Sequence, residues 1–378
     1  MRILQLAPLW ETVPPPAYGG TEAVVSVLTE ELVRRGYAVT LCASGDSTTS
    51  ADLLAVYHRS LRTAVDLDAP QPYDWMHIAL SLKEGARHDI IHNHAGELAM
   101  AMSHLVDRPM LTTTHCLITP DTRFVWDRYQ GWYNTISHAQ VATIPPLDSD
   151  AKFAGVVHNA IDVDTFPFQR DKEEWLLFLS RIAPEKGPQD AIAVARRLGL
   201  RLILAGKVDR ADAAFYRDVV EPLIDGDRIV YVGEADARLK RDLYRRAMCL
   251  LMPIHWEEPF GLVMPEAMAC GTPVIAYARG AAPEIVVDGE TGYLVPESVD
   301  ALAQAVRRVD RIDPARCRSH VEERFSPRVM ADRYLALYER ILDEDGRRRA
   351  YPGIDVDALV ARLDERSGHD EPDALAVA

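Results

Sequence analysis

The sequence is short of basic charge, of paired cysteines and of long apolar runs, and each shortage excludes something. Its 42 Lys and Arg stand against 57 Asp and Glu, a net charge of −15. That balance argues against a nucleic-acid-binding face and against attraction to an anionic membrane surface. The first 165 residues hold 11 basic against 19 acidic side chains, so no local patch reverses the sign. No run of about 18 apolar residues occurs, and no membrane span is expected. Met1-Arg-Ile-Leu-Gln-Leu-Ala-Pro8 reads as a strand opening directly, without the apolar core of a leader. The five cysteines (Cys42, Cys116, Cys249, Cys270 and Cys317) are odd in number and share no C-x-x-C spacing. They read as reduced, mostly buried thiols, which places the protein in the cytoplasm. The G-x-G-x-x-G fingerprint is missing too, which counts against a dinucleotide oxidoreductase.

What is present alternates strand with helix. At 378 residues, 48% of them hydrophobic, the chain suits two domains. Segments 2–7, 38–43, 89–94 and 110–115 read as strands, and 21–35 as an amphipathic helix stopped by Gly36. The pattern restarts at residue 175, with strands at 175–180, 201–205, 229–232, 249–252 and 272–276 and a helix at 188–198. Such alternation gives a parallel, doubly wound sheet in each half. The expected fold is α/β, two Rossmann-like domains facing each other across a cleft. Residues 158–170 lose periodicity and read as the linker. The N-terminal domain is assigned to residues 1–162 and the C-terminal domain to 163–326. Residues 327–342 form an amphipathic helix, with Met330, Tyr334, Leu337, Tyr338 and Ile341 on one face. Residues 343–378 form a polar tail, with one short helix expected at 355–366 and a disordered end.

Three segments carry chemistry. The first is Glu258-Pro-Phe-Gly-Leu-Val-Met-Pro-Glu266, two acids eight positions apart around a helix start. Pro265 suits the first helical position and Gly271 the left-handed stop. Surface glutamates beside a loop are the bland reading, but the apolar run and the Pro-Phe-Gly loop around them favour a ligand site. The second is Ser180-Arg-Ile-Ala-Pro-Glu-Lys-Gly187, which follows a strand and leads into a helix opened by Pro188. Arg181 and Lys186 then emerge at one sheet edge beside a helix N-terminus, a place for a diphosphate, although two solvated surface charges are the commoner use of such a pair. The third is Pro14-Pro-Pro-Ala-Tyr-Gly-Gly-Thr-Glu22, where Gly19 and Gly20 allow close backbone approach before a helix. A Gly-Gly pair alone is as consistent with a plain turn. Nine of the twelve histidines precede residue 160, with His92 and His94 on one side of a strand and His115 ending the next. A metal site there is the weaker reading, since no supporting carboxylate is evident. Strand-end histidines lining an acceptor pocket are the stronger one.

The Glu258–Glu266 segment resembles the E-x(7)-E signature of the retaining glycosyltransferases of family 4, whose two Rossmann-like domains form the GT-B fold. Ser180-Arg-x(4)-Lys-Gly187 is similar to the same family's S-R-x(4)-K-G pattern. The resemblance implies that the last helix crosses back onto the N-terminal domain. It implies that Arg181 and Lys186 hold the donor diphosphate and stabilise the leaving nucleotide, so that no metal or other cofactor is required. The sequence agrees in placing no Asp-x-Asp at a strand end; Asp162-Val-Asp164 lies in the linker. By the same resemblance Glu258 grips sugar hydroxyls together with the backbone N–H groups of Phe260, Gly261 and Leu262, and Glu266 takes the ribose. Val232 and Gly233 meet the base, Gly19 and Gly20 face the donor phosphates, and His115 sits at the reaction centre. Tyr18, His92, His94 and Ser137 are assigned to the acceptor side. Ala160 replaces the family's linker glycine, and Gly206-Lys-Val208 replaces a G-x-G.

The implied activity is a metal-independent, retaining hexosyltransferase working on a nucleotide sugar, UDP-glucose first and GDP-mannose next. The acceptor is expected to be a small soluble molecule, because helix 21–35 offers only two terminal arginines to a membrane. The opening Pro-rich loop is similar to that of bacterial glucosyltransferases of small heterocycles or antibiotic precursors. Neither nucleic acid nor stable membrane association is expected, and the protein reads as a monomer or homodimer. A nucleotide-sugar 2-epimerase shares the architecture, and a non-catalytic nucleotide-sugar sensor is a third reading. The Glu258 loop and the Arg181–Lys186 element favour the transferase.

Overall fold

The computed structural model describes residues 1–350; the expected helix 355–366 and the end of the tail lie outside them. Seven strands make the first sheet: β1 (Arg2–Leu6), β2 (Ala38–Ala43), β3 (Asp52–Ala55), β4 (Ile90–Asn93), β5 (Met110–Thr114), β6 (Trp132–Thr135) and β7 (Lys152–Val156). Six make the second: β8 (Trp175–Leu179), β9 (Arg201–Ala205), β10 (Ile229–Tyr231), β11 (Cys249–Met252), β12 (Val274–Tyr277) and β13 (Gly292–Val295). All the strand pairs are parallel, in the orders β3-β2-β1-β4-β5-β6-β7 and β10-β9-β8-β11-β12-β13. The central strand β11 is apolar and wholly buried, as a strand covered by helices on both faces must be, and β1 is buried from Ile3 onward with Gln5 as its one buried polar side chain.

The strand orders locate the site before any side chain is considered. Chain order reverses on either side of β1 and of β8, and the crevice beyond the carboxyl ends of strands at such a switch point is where these sheets bind ligands. The loop beyond β1 runs to Gly19. The loop beyond β8 carries Arg181, and the one beyond β11 carries Glu258. The expected chemistry therefore sits at the two switch points.

The last helix, Pro327–Ala350, returns to the first domain. Its Met330, Tyr334, Tyr338 and Ile341 are buried with Ile3, Val24, Leu28, Leu32, Ile90 and Leu111. The helix is longer than the 327–342 expected, so part of the assigned tail is helical. One boundary differs in a way that matters for the site. The helix carrying Glu266 spans Val263–Ala269, so Pro265 is its third residue rather than its first. N–H groups of the first turn have no partner inside the helix, so a proline there costs no hydrogen bond and does not fix the start. Gly271 does adopt the left-handed conformation, at φ 78°. Strands β3 and β6 carry little sequence signal, being four residues long and in part polar, as Asp-Leu-Leu-Ala and Trp-Tyr-Asn-Thr, and β7 and β13 each contain a glycine, which weakens a strand pattern.

Candidate functional site

In the second domain, the turn after β8 is shaped by Gly187. It adopts φ 72°, and a Cβ there would lie 2.0 Å from the Pro253 carbonyl oxygen. Only glycine allows this approach, which carries Lys186 to the loop after β11. Lys186 Nζ lies 2.5 Å from Glu258 Oε2, and the Trp256 indole donates to the same oxygen at 2.9 Å. The Lys186 ammonium also lies 4.5 Å from the Trp256 ring centroid, which adds a cation–π contact. Both charges of the pair are largely buried, at 13% and 12% side-chain exposure, so each needs the other. Arg181 is ringed by Glu185, Asp209 and Asp212. Buried Glu266 accepts from Tyr244 at 2.9 Å and from Lys240 at 2.6 Å. Burial, then the Glu266 carboxylate, raises the Tyr244 hydroxyl far above its ordinary range, so it remains a donor.

In the first domain, the loop after β1 folds over the cleft. Gly19 has φ 143°, and a Cβ there would lie 2.7 Å from Pro15 Cβ. The loop reaches the opposite domain, where the Pro16 carbonyl accepts from the Ala237 N–H at 3.3 Å. Tyr18 lies under the Lys207 ammonium, 3.8 Å from Nζ to ring centroid, and Arg62 spans to Glu234 at 3.1 Å. Behind this loop, burial raises the Glu22 carboxyl to about 7; its own backbone N–H opposes the shift and nearby Glu11 adds to it. Together the loops enclose one cleft of about 1560 Å³.

Most of the sequence-predicted residues meet in that cleft. Tyr18, Gly19, Gly20 and His115 line it from one side, and Arg181, Lys186, Glu258, Phe260, Gly261, Leu262 and Glu266 from the other. Five do not. His92 and His94 are buried behind the wall, not in an acceptor pocket: the His92 ring packs against the returning helix, its centroid 4.7 Å from that of Tyr334, and the His94 ring packs beside it at 3.9 Å, bonded to Gln5. Ser137 is buried as the cap of the helix His138–Thr143, accepting from the Gln140 N–H at 3.0 Å. Its hydroxyl is spent on the backbone. Val232 and Gly233 stand outside the lining, and the Gly233 carbonyl is tied to the Gly206 N–H at 2.8 Å; their neighbours Glu234 and Ala235 line the cleft instead.

Several residues that the sequence reading passed over matter here. Lys240 and Tyr244 stand four apart on the helix Ala237–Arg246, a spacing that puts both on one face toward Glu266 and was there to be read. Trp256, two residues before Glu258, is a similar local signal. Glu284 gave none. It accepts from the N–H groups of His138 (2.8 Å) and Ala139 (2.6 Å) and from His158 Nε2 (2.9 Å), fastening the second domain to the first.

Two family models match successive parts of the chain, Glycosyltransferase Family 4 over residues 18–146 and Glycosyl transferases group 1 over residues 162–320. The chain belongs to glycosyltransferase family 4. Glycogen synthase of Mycobacterium tuberculosis H37Rv is 27% identical over 368 residues, covering 82% of this chain and 86% of the relative. D-inositol 3-phosphate glycosyltransferase of Mycolicibacterium smegmatis is 32% identical over 225 residues, 54% of this chain and 51% of the relative. Among solved structures, AviGT4, a glycosyltransferase involved in avilamycin A biosynthesis, superimposes with a TM-score of 0.70 at 23% identity. That match covers 91% of this chain and 98% of AviGT4. Anabaena HepE, solved with UDP and glucose, gives 0.67 at 16% identity, covering 90% and 100%. At those identities the two structures speak for the fold, which is GT-B. This family-4 protein is a glycosyltransferase, and its cleft is the candidate active site.

Proposed function

We propose that the protein transfers a hexose from a nucleotide sugar to a hydroxyl of a small, soluble acceptor, keeping the anomeric configuration and needing no metal. UDP-glucose is the leading donor; it is the nucleotide sugar with which Anabaena HepE was also solved. The observation that carries this reading is the meeting of Arg181, Lys186 and Glu258 at one switch point. Each cation is held by carboxylates that a diphosphate can replace, so binding exchanges one set of anionic oxygens for another rather than stranding a buried charge. Exchange at Lys186 also frees Glu258 to accept hydroxyls of the sugar.

In the reaction, the bond between the anomeric carbon and the diphosphate oxygen breaks, and its electron pair leaves with the nucleotide. Arg181 and Lys186 stabilise the charge that develops there. The acceptor oxygen attacks from the same face, and its proton passes to the departing phosphate. Glu266, with Tyr244 and Lys240, is proposed to hold the ribose, and His115 to face the sugar. No helix among the described residues is long and apolar enough to cross a membrane.

The test is to incubate the protein with UDP-glucose and a panel of small hydroxylated acceptors in excess EDTA, following products by proton NMR. An α-glucoside and stoichiometric UDP are expected. A β-glucoside, strict dependence on a divalent metal, or appearance of the 2-epimer from UDP-N-acetylglucosamine alone would overturn the reading.

A further inference from the structure

Behind His115 lies a buried set of neutral polar side chains that the reaction outlined above does not use. Their hydrogen bonds leave one consistent direction. Asn134 Nδ2 donates to the Thr135 carbonyl at 3.2 Å, which orients the amide and leaves Oδ1 to accept from the Thr113 hydroxyl at 2.7 Å. Having given up its proton there, Thr113 Oγ1 can only accept at its other contacts. His92 Nε2, 2.7 Å away, is therefore the protonated nitrogen of that ring. His92 Nδ1 then accepts from the Tyr338 hydroxyl at 2.6 Å, and the Tyr338 oxygen accepts from Gln5 Nε2 at 3.3 Å. That fixes the Gln5 amide, whose oxygen accepts from His94 Nε2 at 3.0 Å. His94 Nδ1 is left bare, 2.9 Å from His115 Nε2, so His115 must donate to it. Burial holds all three imidazoles below their ordinary titration range, with His115 brought down to about 4, so each carries a single ring proton at neutral pH.

We propose that this hydrogen-bonded relay is a positioning device: His92 orients the hydroxyl of Tyr338, on the returning helix, and Tyr338 acts through Gln5 and His94 to hold His115 as the Nε2–H tautomer. The Nδ1 lone pair of His115 is then reserved as an acceptor for a hydroxyl at the reaction centre. Of the ring's two nitrogens, one is committed to the wall and the other is kept for the cleft that His115 lines. Docking of the last helix thereby becomes a condition for a correctly presented histidine, and the five relay residues Gln5, His92, His94, Thr113 and Tyr338 are positioning rather than catalytic. The catalytic half of this inference rests on His115 lying at the reaction centre, as proposed above. The tautomer does not.

The test uses the full chain labelled with 15N-histidine, the His115 signals being assigned with a His115→Gln variant. Long-range 1H–15N spectra of the wild type are expected to show His115 protonated on Nε2. Tyr338→Phe removes the one hydroxyl that joins Gln5 to His92, and is expected to mix the His115 tautomers. It should lower kcat by about 10-fold or more while KM for UDP-glucose stays within about 2-fold, the scale seen when an orienting partner behind a functional histidine is lost. Tyr334→Phe is the control. Its hydroxyl is on the same helix and equally buried but touches only the Thr113–Asn134 end, at 3.1 and 3.4 Å, so the His115 tautomer should be unchanged. A wild-type His115 protonated on Nδ1 overturns the proposal. So does a Tyr338→Phe protein with unaltered tautomer and kcat, or an equal loss of kcat in both variants. Because the tautomer is read without substrate, failure to turn over UDP-glucose counts against the donor reading and not against the relay.

Discussion

The two sheets share their parallel wiring but use their polar strand ends in opposite ways. In the second domain the groups beyond β8 and β11 are ions, namely Arg181, Lys186 and Glu258, and they stand in the cleft. In the first, the groups on and just beyond β4 and β5 are neutral, namely His92, His94, Thr113 and His115, and all but His115 turn inward. The difference follows from solvation. A buried ion must be paired or reach water, which keeps it at the cleft. Neutral imidazoles, amides and hydroxyls can satisfy one another completely in a dry wall, provided every donor finds an acceptor.

Several measurements would break or sharpen this contrast. The largest effect is expected at the ion pair. Lys186→Ala and Glu258→Ala should each lower kcat/KM by about 10² to 10³-fold, the scale for losing one group aimed at transition-state charge. Because each strands the other's buried charge, the double variant should fall well short of the product of the two losses. Fully multiplicative losses would mean that the two side chains act independently, contrary to their 2.5 Å contact.

Glu22 tests the rule from the other side, since it is a buried acid in the neutral half. Its carboxyl lies near 7 in the fold, against an ordinary 4.5. Raised in this way, it favours the fold at pH below about 4.5, and that contribution is lost as pH rises through about 7. The amount is at most roughly 3 kcal/mol. Denaturant titrations of wild type and Glu22→Gln between pH 5 and pH 8 should therefore diverge, the Gln variant holding its stability as the wild type loses it. Parallel curves would show that the site is wetter than its burial indicates.

The smallest effect is expected at Ser137, reassigned here from the acceptor pocket to a helix cap. Ser137→Ala should cost about 1 kcal/mol in stability. It should leave the KM values for donor and acceptor unchanged, and a selective rise in acceptor KM would restore the pocket assignment.

The same contrast explains what could be read from the sequence. Arg181, Lys186, Glu258 and Glu266 were legible because their spacing around a glycine turn and a helix start matches the motifs of a known family; the spacing alone is also that of ordinary surface charges. The doubly wound halves were legible from strand–helix alternation and the last helix from its apolar face, but its return to the first domain only from the family resemblance. His92 and His94 were found but misplaced, since a strand-end histidine gives no sign of whether it faces a ligand or a wall. That depended on Tyr338, 246 positions away from His92 along the chain. Glu284 was invisible for the same reason: its partners His138, Ala139 and His158 lie on the other domain.

The central claim is that two cations and a carboxylate at one switch point make a metal-independent nucleotide-diphosphate site. Calorimetric titration of wild type and Lys186→Ala with UDP, both in EDTA, tests it most directly. The wild type should bind and, at 100-fold the Kd of UDP, gain about 2.7 kcal/mol of stability, while the variant binds at least about 10-fold more weakly. Wild-type protein that binds UDP only when a divalent metal is restored, or a variant that binds as tightly as the wild type, would contradict it.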